Sequence, residues 1–293
     1  MDLILPYFVP SHNHIDAYFL HQLLDNDSKK HIYLRGKTSK MSAYEIVIIN
    51  LKRSTDRRAK MTDEVSKLET PFRFFDAVDG STLSDAFLKN KTSFFSSFLS
   101  GRKLLKGEIG CYLSHLGVAE DLLKSKADFY IVLEDDCSVS KDLDSVCLAL
   151  SNTDDWDIVR LEHRHDKNFT ITKPLTALDT HHLKRVDWSI YGAVGYALSR
   201  SGAEKIVKAS KKITYAFDIL FTRYWAYDLK YYEVCPPVIT WEDEIQSDID
   251  PSLKDNAPKR IRKKNRLILG KKLRNLYDGI RKRHARKKIR KSG

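Results

Sequence analysis

Short apolar runs of strand length, each ending in polar or charged residues, constrain this chain more than any other feature. Glu45-Ile46-Val47-Ile48-Ile49-Asn50-Leu51 is one, Phe129-Tyr130-Ile131-Val132-Leu133 another, and Trp156-Asp157-Ile158-Val159-Arg160-Leu161 a third. A continuous apolar run suits a strand buried on both faces. Phe72–Phe75, Ala193–Leu198 and Leu229–Val234 read as further strands. Helical stretches lie between them. Ser54–Lys67 suits a surface helix, and in Glu108–Lys124 the residues Ile109, Tyr112, Leu113, Leu116 and Leu123 recur at helical spacing. Ser201-Gly202-Ala203-Glu204 has the capping-box pattern that opens a helix, and Phe217–Tyr227 reads as helical. Residues 81–106, rich in Ser, Phe and Lys, read as one long loop. Strand–helix alternation with short links predicts an α/β sheet with helices on both faces.

The 293 residues suffice for one large domain or two small ones. No stretch of about 18 apolar residues occurs, and Met1-Asp2-Leu3-Ile4-Leu5-Pro6 lacks the basic segment and apolar run of a secretory leader. Cys111, Cys137, Cys147 and Cys235 make no Cys-x-x-Cys pair, so a reduced, cytosolic protein is expected. Charge divides the chain. The net charge is +12, but residues 259–291 hold seventeen Lys and Arg against Asp278 alone. That segment carries +16, which leaves −4 for the remainder. Three parts are therefore expected: an N-terminal extension over 1–40, a body over 41–258, and a basic tail over 259–293. His12, His14, His21 and His31 in the extension show no regular metal-ligand spacing. Met41, just before the first core strand, is an alternative translation start.

In α/β sheets, ligands gather at the carboxyl ends of the strands. Three polar clusters, Asn50–Arg58, Asp76–Gly80 and Glu134–Asp136, fall at such ends. Three adjacent carboxylates repel one another unless a cation or water screens them. Mg²⁺ or Mn²⁺ does so with hard oxygen ligands and completes its shell with substrate phosphates. A solvated turn is the competing account of Glu134-Asp135-Asp136. Lys52, Arg53, Arg57 and Arg58, between a strand and a helix start, suit a diphosphate clamp. A solvated charged helix face explains them as well. Gly107 and Gly110 allow close approach at the next helix start, where His115 is either a packed histidine or a site residue.

The order of these motifs resembles glycosyltransferase family 25. Ile49-Asn50-Leu51 with Asp56-Arg57-Arg58 comes first, followed by Ala77-Val78-Asp79-Gly80. Gly107-Glu108-Ile109-Gly110-Cys111 with Ser114-His115-Leu116 comes next, and then Leu133-Glu134-Asp135-Asp136. The likeness continues through Trp156–Leu161, Gly195-Tyr196-Ala197-Leu198-Ser199 with Gly202-Ala203, and Phe217-Asp218, covering roughly residues 44–250. The resemblance implies a GT-A-type fold with a Rossmann-like nucleotide-binding sheet. It also implies inverting transfer, usually from UDP-galactose, onto a saccharide acceptor of lipopolysaccharide, lipooligosaccharide or another surface glycan. Glu134-Asp135-Asp136 stands where most such enzymes carry Asp-x-Asp, so Asp136, alone or with Glu134, is the expected ligand of Mn²⁺ or Mg²⁺. The nucleotide sugar is expected to meet Asn50, Arg53, Arg57, Asp79, Glu108, His115, Glu134 and Asp135. An acceptor-side base is required; Asp218 is the first candidate, ahead of Asp187 and Glu162. A catalytically inactive scaffold protein is one alternative. A nucleic-acid-binding protein acting through its tail is another, disfavoured by the acidic body.

Within the tail, Leu269, Leu273, Leu276 and Ile280 form one apolar stripe at helical spacing. Lys271, Lys272, Arg274, Arg281 and Lys282 flank it. A basic amphipathic helix of this kind suits an anionic membrane surface. The expectation is a cytoplasmic protein held peripherally at the inner face of the cytoplasmic membrane, with docking of the stripe on the body as the alternative. No nucleic-acid partner is expected.

Overall fold

The apolar run at the start of the body forms strand β1 (Tyr44–Asn50), with Ile46 to Ile49 buried on both faces as the lack of alternation requires. The structure, a computed structural model, describes residues 43–162, 169–174, 180–186, 192–241 and 265–291. Helix α1 (Thr55–Val65) leads to β2 (Phe72–Asp76). The long loop expected over 81–106 is instead largely structured. A 3₁₀ turn (Gly80–Thr82) is followed by helix α2 (Asp85–Lys91) and helix α3 (Ser96–Ser100). Ser84 caps α2 by accepting from the Phe87 amide, and Gly101 ends α3 in the left-handed region at φ 74°. These short helices lack the two-turn periodicity that a sequence pattern needs to be seen.

Helix α4 (Lys106–Lys124), strand β3 (Phe129–Glu134), strand β4 (Cys137–Val139) and helix α5 (Leu143–Ser151) follow. The chain continues through β5 (Ile158–Arg160), β6 (Phe169–Pro174), β7 (His182–Val186) and β8 (Gly195–Ser199). Helix α6 (Arg200–Ala209) opens on Ser199, whose hydroxyl accepts from the Gly202 amide at 3.1 Å. Ser201 is therefore not the cap; its hydroxyl bonds Asp157 at 2.6 Å instead. The helix expected over Phe217–Tyr227 is broken into α7 (Asp218–Thr222) and a 3₁₀ turn (Tyr224–Ala226). Strands β9 (Tyr231–Cys235) and β10 (Ile239–Trp241) close the body, and α8 (Asn265–Lys291) is the tail.

Eight strands form one mixed sheet in the order β2-β1-β3-β8-β5-β9-β7-β6. β1 runs parallel to β2 and β3, and β5 parallel to β9, while β8 is antiparallel to both its neighbours. A second, two-stranded sheet pairs β4 with β10. The register sets Asn50 beside Asp76 and Ile49 beside Glu134. The three polar clusters thus share one end of the parallel half. Ile46, Ile48, Ile131 and Leu133 pack against α1 and α5, through Met61, Val65, Leu143 and Val146. Val47, Ile49, Tyr130 and Val132 pack against α4, α6 and α7 on the other face. Each buried aliphatic side chain of this kind contributes about 1.5–3 kcal/mol. The result is the Rossmann-like, GT-A-type α/β arrangement expected from the sequence, with helices on both faces. Among the described residues no helix is long and apolar enough to cross a membrane.

Candidate functional site

A cavity of about 520 Å³ opens at this shared strand end. β1 supplies Ile49, the segment after it Leu51, Arg53 and Arg57, and the segment after β2 supplies Ala77 to Ser81. The start of α4 adds Leu105 to Gly107, Cys111, Ser114 and His115, and the end of β3 adds Glu134, Asp135 and Asp136. Its size suits a nucleotide-sized ligand. Two glycines let the walls meet. A Cβ on Gly110 would stand 2.6 Å from the Val78 carbonyl oxygen, and one on Gly80 would stand 2.1 Å from that of Lys106. The Ser114 hydroxyl accepts from the Val78 amide at 2.8 Å and holds the loop to the helix.

The three carboxylates have three different environments. Asp135 is buried, accepting from Asn50 Nδ2 at 2.7 Å and from Arg57 Nη1 at 2.9 Å. Burial raises its pKa, and the two donors pull it back in part. Glu134 meets His115 Nε2 at 2.9 Å. Asp136 is pushed up to about 7 by burial first, and then by Glu134 and Asp135. Its Oδ1 is buried with no hydrogen-bond partner. A solvated turn does not leave a carboxylate oxygen in that state, whereas a hard divalent cation would satisfy it.

Arg53 pairs with Asp79 across the cavity, whose Oδ1 also accepts from the Ser81 amide at 2.9 Å. Arg53 and Arg57 are the two clamp residues that face the cavity. Lys52 and Arg58 lie off it, beside Asp76 at 3.1 and 3.8 Å. This loop–cavity–carboxylate layout coincides with a sequence match. Residues 43–221 fit the family model described as "Glycosyltransferase family 25 (LPS biosynthesis protein)". The chain belongs to glycosyltransferase family 25.

Human procollagen galactosyltransferase 2 is 32% identical over 181 residues, covering 58% of this chain and 28% of that protein. Zebrafish (Danio rerio) procollagen galactosyltransferase 1 is 29% identical over 183 residues, 59% of this chain and 30% of its own. A rat (Rattus norvegicus) protein described as probable inactive glycosyltransferase 25 family member 3 is 31% identical over 180 residues, 58% and 31% of the two chains. The matches thus span under a third of the length of these family 25 relatives.

Several family motif residues prove to brace the site without facing it. Asn50 is buried beneath Asp135, and its Nδ2 also reaches the Ser54 carbonyl at 3.2 Å. Glu108 turns away from the cavity to fork with Arg102 and to accept from the Leu105 amide at 2.8 Å. It caps the first turn of α4. His115 borders the cavity, but both ring nitrogens are engaged: Nδ1 meets the Tyr196 hydroxyl at 2.9 Å while Nε2 holds Glu134. Its ring stacks on Phe217 at 4.4 Å.

Of the acceptor-side candidates, Asp218 opens α7 and accepts from the Gly192 amide at 3.1 Å. Burial raises its pKa, the Gly192 bond lowers it, and Glu134 raises it further. Its field also reaches Cys111, whose thiol is pushed well up by burial and then by Glu134, Asp218 and Asp136. Asp218 therefore belongs to the same electrostatic neighbourhood as the β3 carboxylates. Glu162 does not suit a mobile base: it is buried, with Oε1 2.5 Å from Arg160 Nη2 and 3.4 Å from the Val194 amide. Asp187 lies outside the described residues, as do the extension over 1–40 and Met41.

The residues present fit a hard cation at Asp136, with Glu134 beside it. A softer donor set also exists, since the Cys111, His115 and Glu134 ligand atoms lie within 4.8 Å of one another. A thiol and imidazole favour Zn²⁺ over Mg²⁺ or Mn²⁺, and the His115 nitrogens already have partners. Tyr196 lies in a motif of the resemblance, but its contact with His115 is set by the pairing of β8 with β3.

Proposed function

We propose that this chain is an active hexosyltransferase that moves galactose from UDP-galactose to a saccharide hydroxyl with inversion, giving a β-linkage. The observation that carries this reading is the buried, partnerless Oδ1 of Asp136 at the wall of a nucleotide-sized cavity. The relatives' names support galactose, and the family description supports a lipopolysaccharide or similar surface glycan as acceptor.

The reaction is a single displacement. The acceptor oxygen bonds to the anomeric carbon as the bond to the phosphate oxygen breaks, and UDP leaves with that electron pair. Asp136, with Glu134, would hold Mn²⁺ or Mg²⁺, which neutralises charge developing on the departing diphosphate. Arg53 and Arg57 contribute fixed positive charge on the same side. Asp135, held by Asn50 and Arg57, keeps Arg57 aimed into the cavity. Asp218 takes the acceptor proton; a carboxylate whose pKa burial has raised is the better base for that step.

UDP should raise the melting temperature with Mn²⁺ present and not in EDTA, and Asp136→Asn should abolish both that shift and turnover. Equal stabilisation by UDP in EDTA would overturn the metal assignment. Comparing UDP-galactose, UDP-glucose and UDP-N-acetyl sugars as donors tests the sugar. A second reading, a family member that binds nucleotide without transferring sugar, is favoured by the rat relative's description. It predicts metal-dependent UDP binding with no turnover of any donor.

A further inference from the structure

Among the described residues, the tail helix α8 meets the body through one face. A Cβ on Gly270 would stand 2.4 Å from the Phe98 carbonyl oxygen of α3, so the helix lies hard against that segment. Four residues on, the Arg274 guanidinium lies over the Tyr215 ring at 5.5 Å. Four further on, Asp278 accepts from Arg223 at 3.1 Å. Residues four apart share a helix face. At about 100° per residue, the Leu269, Leu273, Leu276 and Ile280 stripe is turned well away from that contact. All four are exposed, by 46–61%. The alternative, docking of this stripe on the body, is not seen; the helix is held by other residues, and these four side chains face outward.

A second apolar feature lies nearby. Phe94 and Phe95, just before α3, are 93% and 59% exposed, with ring centroids 5.3 Å apart. One short segment holds both features in place. Ser93 N donates to the Ile213 carbonyl at 2.8 Å, and the Ser96 and Ser100 hydroxyls reach that of Thr214 at 3.0 Å. Tyr215, the next residue, carries Arg274 of α8. Exposed Lys272, Arg283 and Lys287 lie on the same side of the helix as the aliphatic stripe.

We propose that the outward face of α8, with Phe94 and Phe95 as a second insertion point, docks on an anionic lipid bilayer. Charge complementarity selects this occupant. Aliphatic and aromatic side chains enter the acyl boundary while lysines and arginines meet anionic headgroups. A nucleic acid would use the charges and leave the aliphatic stripe in water. A second copy would bring the same positive charge against itself. Because the Arg223–Asp278 and Gly270 contacts tie the helix to the body, the bilayer would fix the orientation of the whole enzyme.

The test is flotation of the full-length chain with vesicles of phosphatidylcholine, alone or mixed with phosphatidylglycerol. The expected result is salt-sensitive binding to the mixed vesicles only. The pair Leu273→Ser and Leu276→Ser keeps the net charge and should weaken that binding roughly tenfold or more. Phe94→Ser with Phe95→Ser should also weaken it, with the melting temperature unchanged in both variants. Absence of vesicle binding, or binding indifferent to the leucine pair, would overturn the proposal. So would tighter binding to duplex DNA than to vesicles, or a dimer in solution that the leucine pair dissolves.

Discussion

His115 Nε2 lies 2.9 Å from Glu134 Oε1, and its Nδ1 lies 2.9 Å from the Tyr196 hydroxyl. A carboxylate only accepts, so Nε2 donates to it and Nδ1 accepts from the tyrosine hydroxyl. The histidine thus fixes Glu134 in one orientation at the cavity wall, and Phe217 stacks on the ring to fix the histidine. Tyr196→Phe removes one hydrogen bond and leaves the buried Nδ1 unmet, a cost of about 1–3 kcal/mol. Turnover should fall several-fold. His115→Phe keeps the aromatic stack but frees Glu134, and turnover should fall further than in Tyr196→Phe. Thermal melts and steady-state kinetics on both variants check the order; equal turnover would show that Glu134 needs no such brace.

The strands and the shared end of the parallel half were legible, because unbroken apolar runs such as Ile46–Ile49 admit few alternatives. The carboxylate triplet was legible as a cluster for the same reason, since it sits where the β3 apolar run stops, and Arg57 lines the same cavity from the helix that follows β1. Which members face the ligand was not legible. Asn50 and Glu108 have the right residue type and position, but hydrogen bonds to Asp135 and to the Leu105 amide decide their direction. Side-chain direction at a strand end depends on neighbours distant in sequence. The short helices α2 and α3 are not legible because one or two turns carry almost no periodicity, and the Ser199 cap is not because Ser201-Gly202-Ala203-Glu204 offers a fuller capping-box pattern two residues on. Tyr196 acquires its role only from the pairing of β8 with β3.

Asp218, the proposed acceptor-side base, accepts from the Gly192 amide at 3.1 Å. Asp218→Asn keeps an oxygen for that amide, so the fold should survive. Loss of general-base function should lower turnover by about a hundredfold or more. UDP affinity, measured calorimetrically with Mn²⁺, should hardly change. Near-normal turnover would remove Asp218 from the mechanism and send attention to Asp187.

Glu108 offers a contrasting outcome. It caps α4 and pairs with Arg102, so Glu108→Ala should cost about 1–2 kcal/mol of stability. The carboxylate does not face the cavity, so UDP affinity should be unchanged in the folded protein. Urea unfolding alongside UDP titration separates the two effects. A large loss of UDP affinity at unchanged stability would return Glu108 to the nucleotide site.

Glu233 sits in the core beside Arg160, and the Tyr231 hydroxyl donates to it at 3.0 Å. Burial raises its pKa to about 7 from an ordinary value of 4.5, against the lowering effects of Arg160 and Tyr231. The sign follows from proton binding. Between about pH 4.5 and 7 the unfolded chain has lost this proton and the folded chain keeps it, so stability falls as pH rises. The contribution is fully present below the lower value and lost by the upper one. At 1.36 kcal/mol per pKa unit, its size is on the order of 3 kcal/mol. Glu233→Gln keeps an acceptor for Tyr231 and has no proton to lose. The stability of wild type relative to Glu233→Gln should therefore decline across this window and level off above it. Urea unfolding of both proteins from mildly acidic to mildly basic pH measures that difference. A difference independent of pH would mean that Arg160 keeps Glu233 ionised throughout.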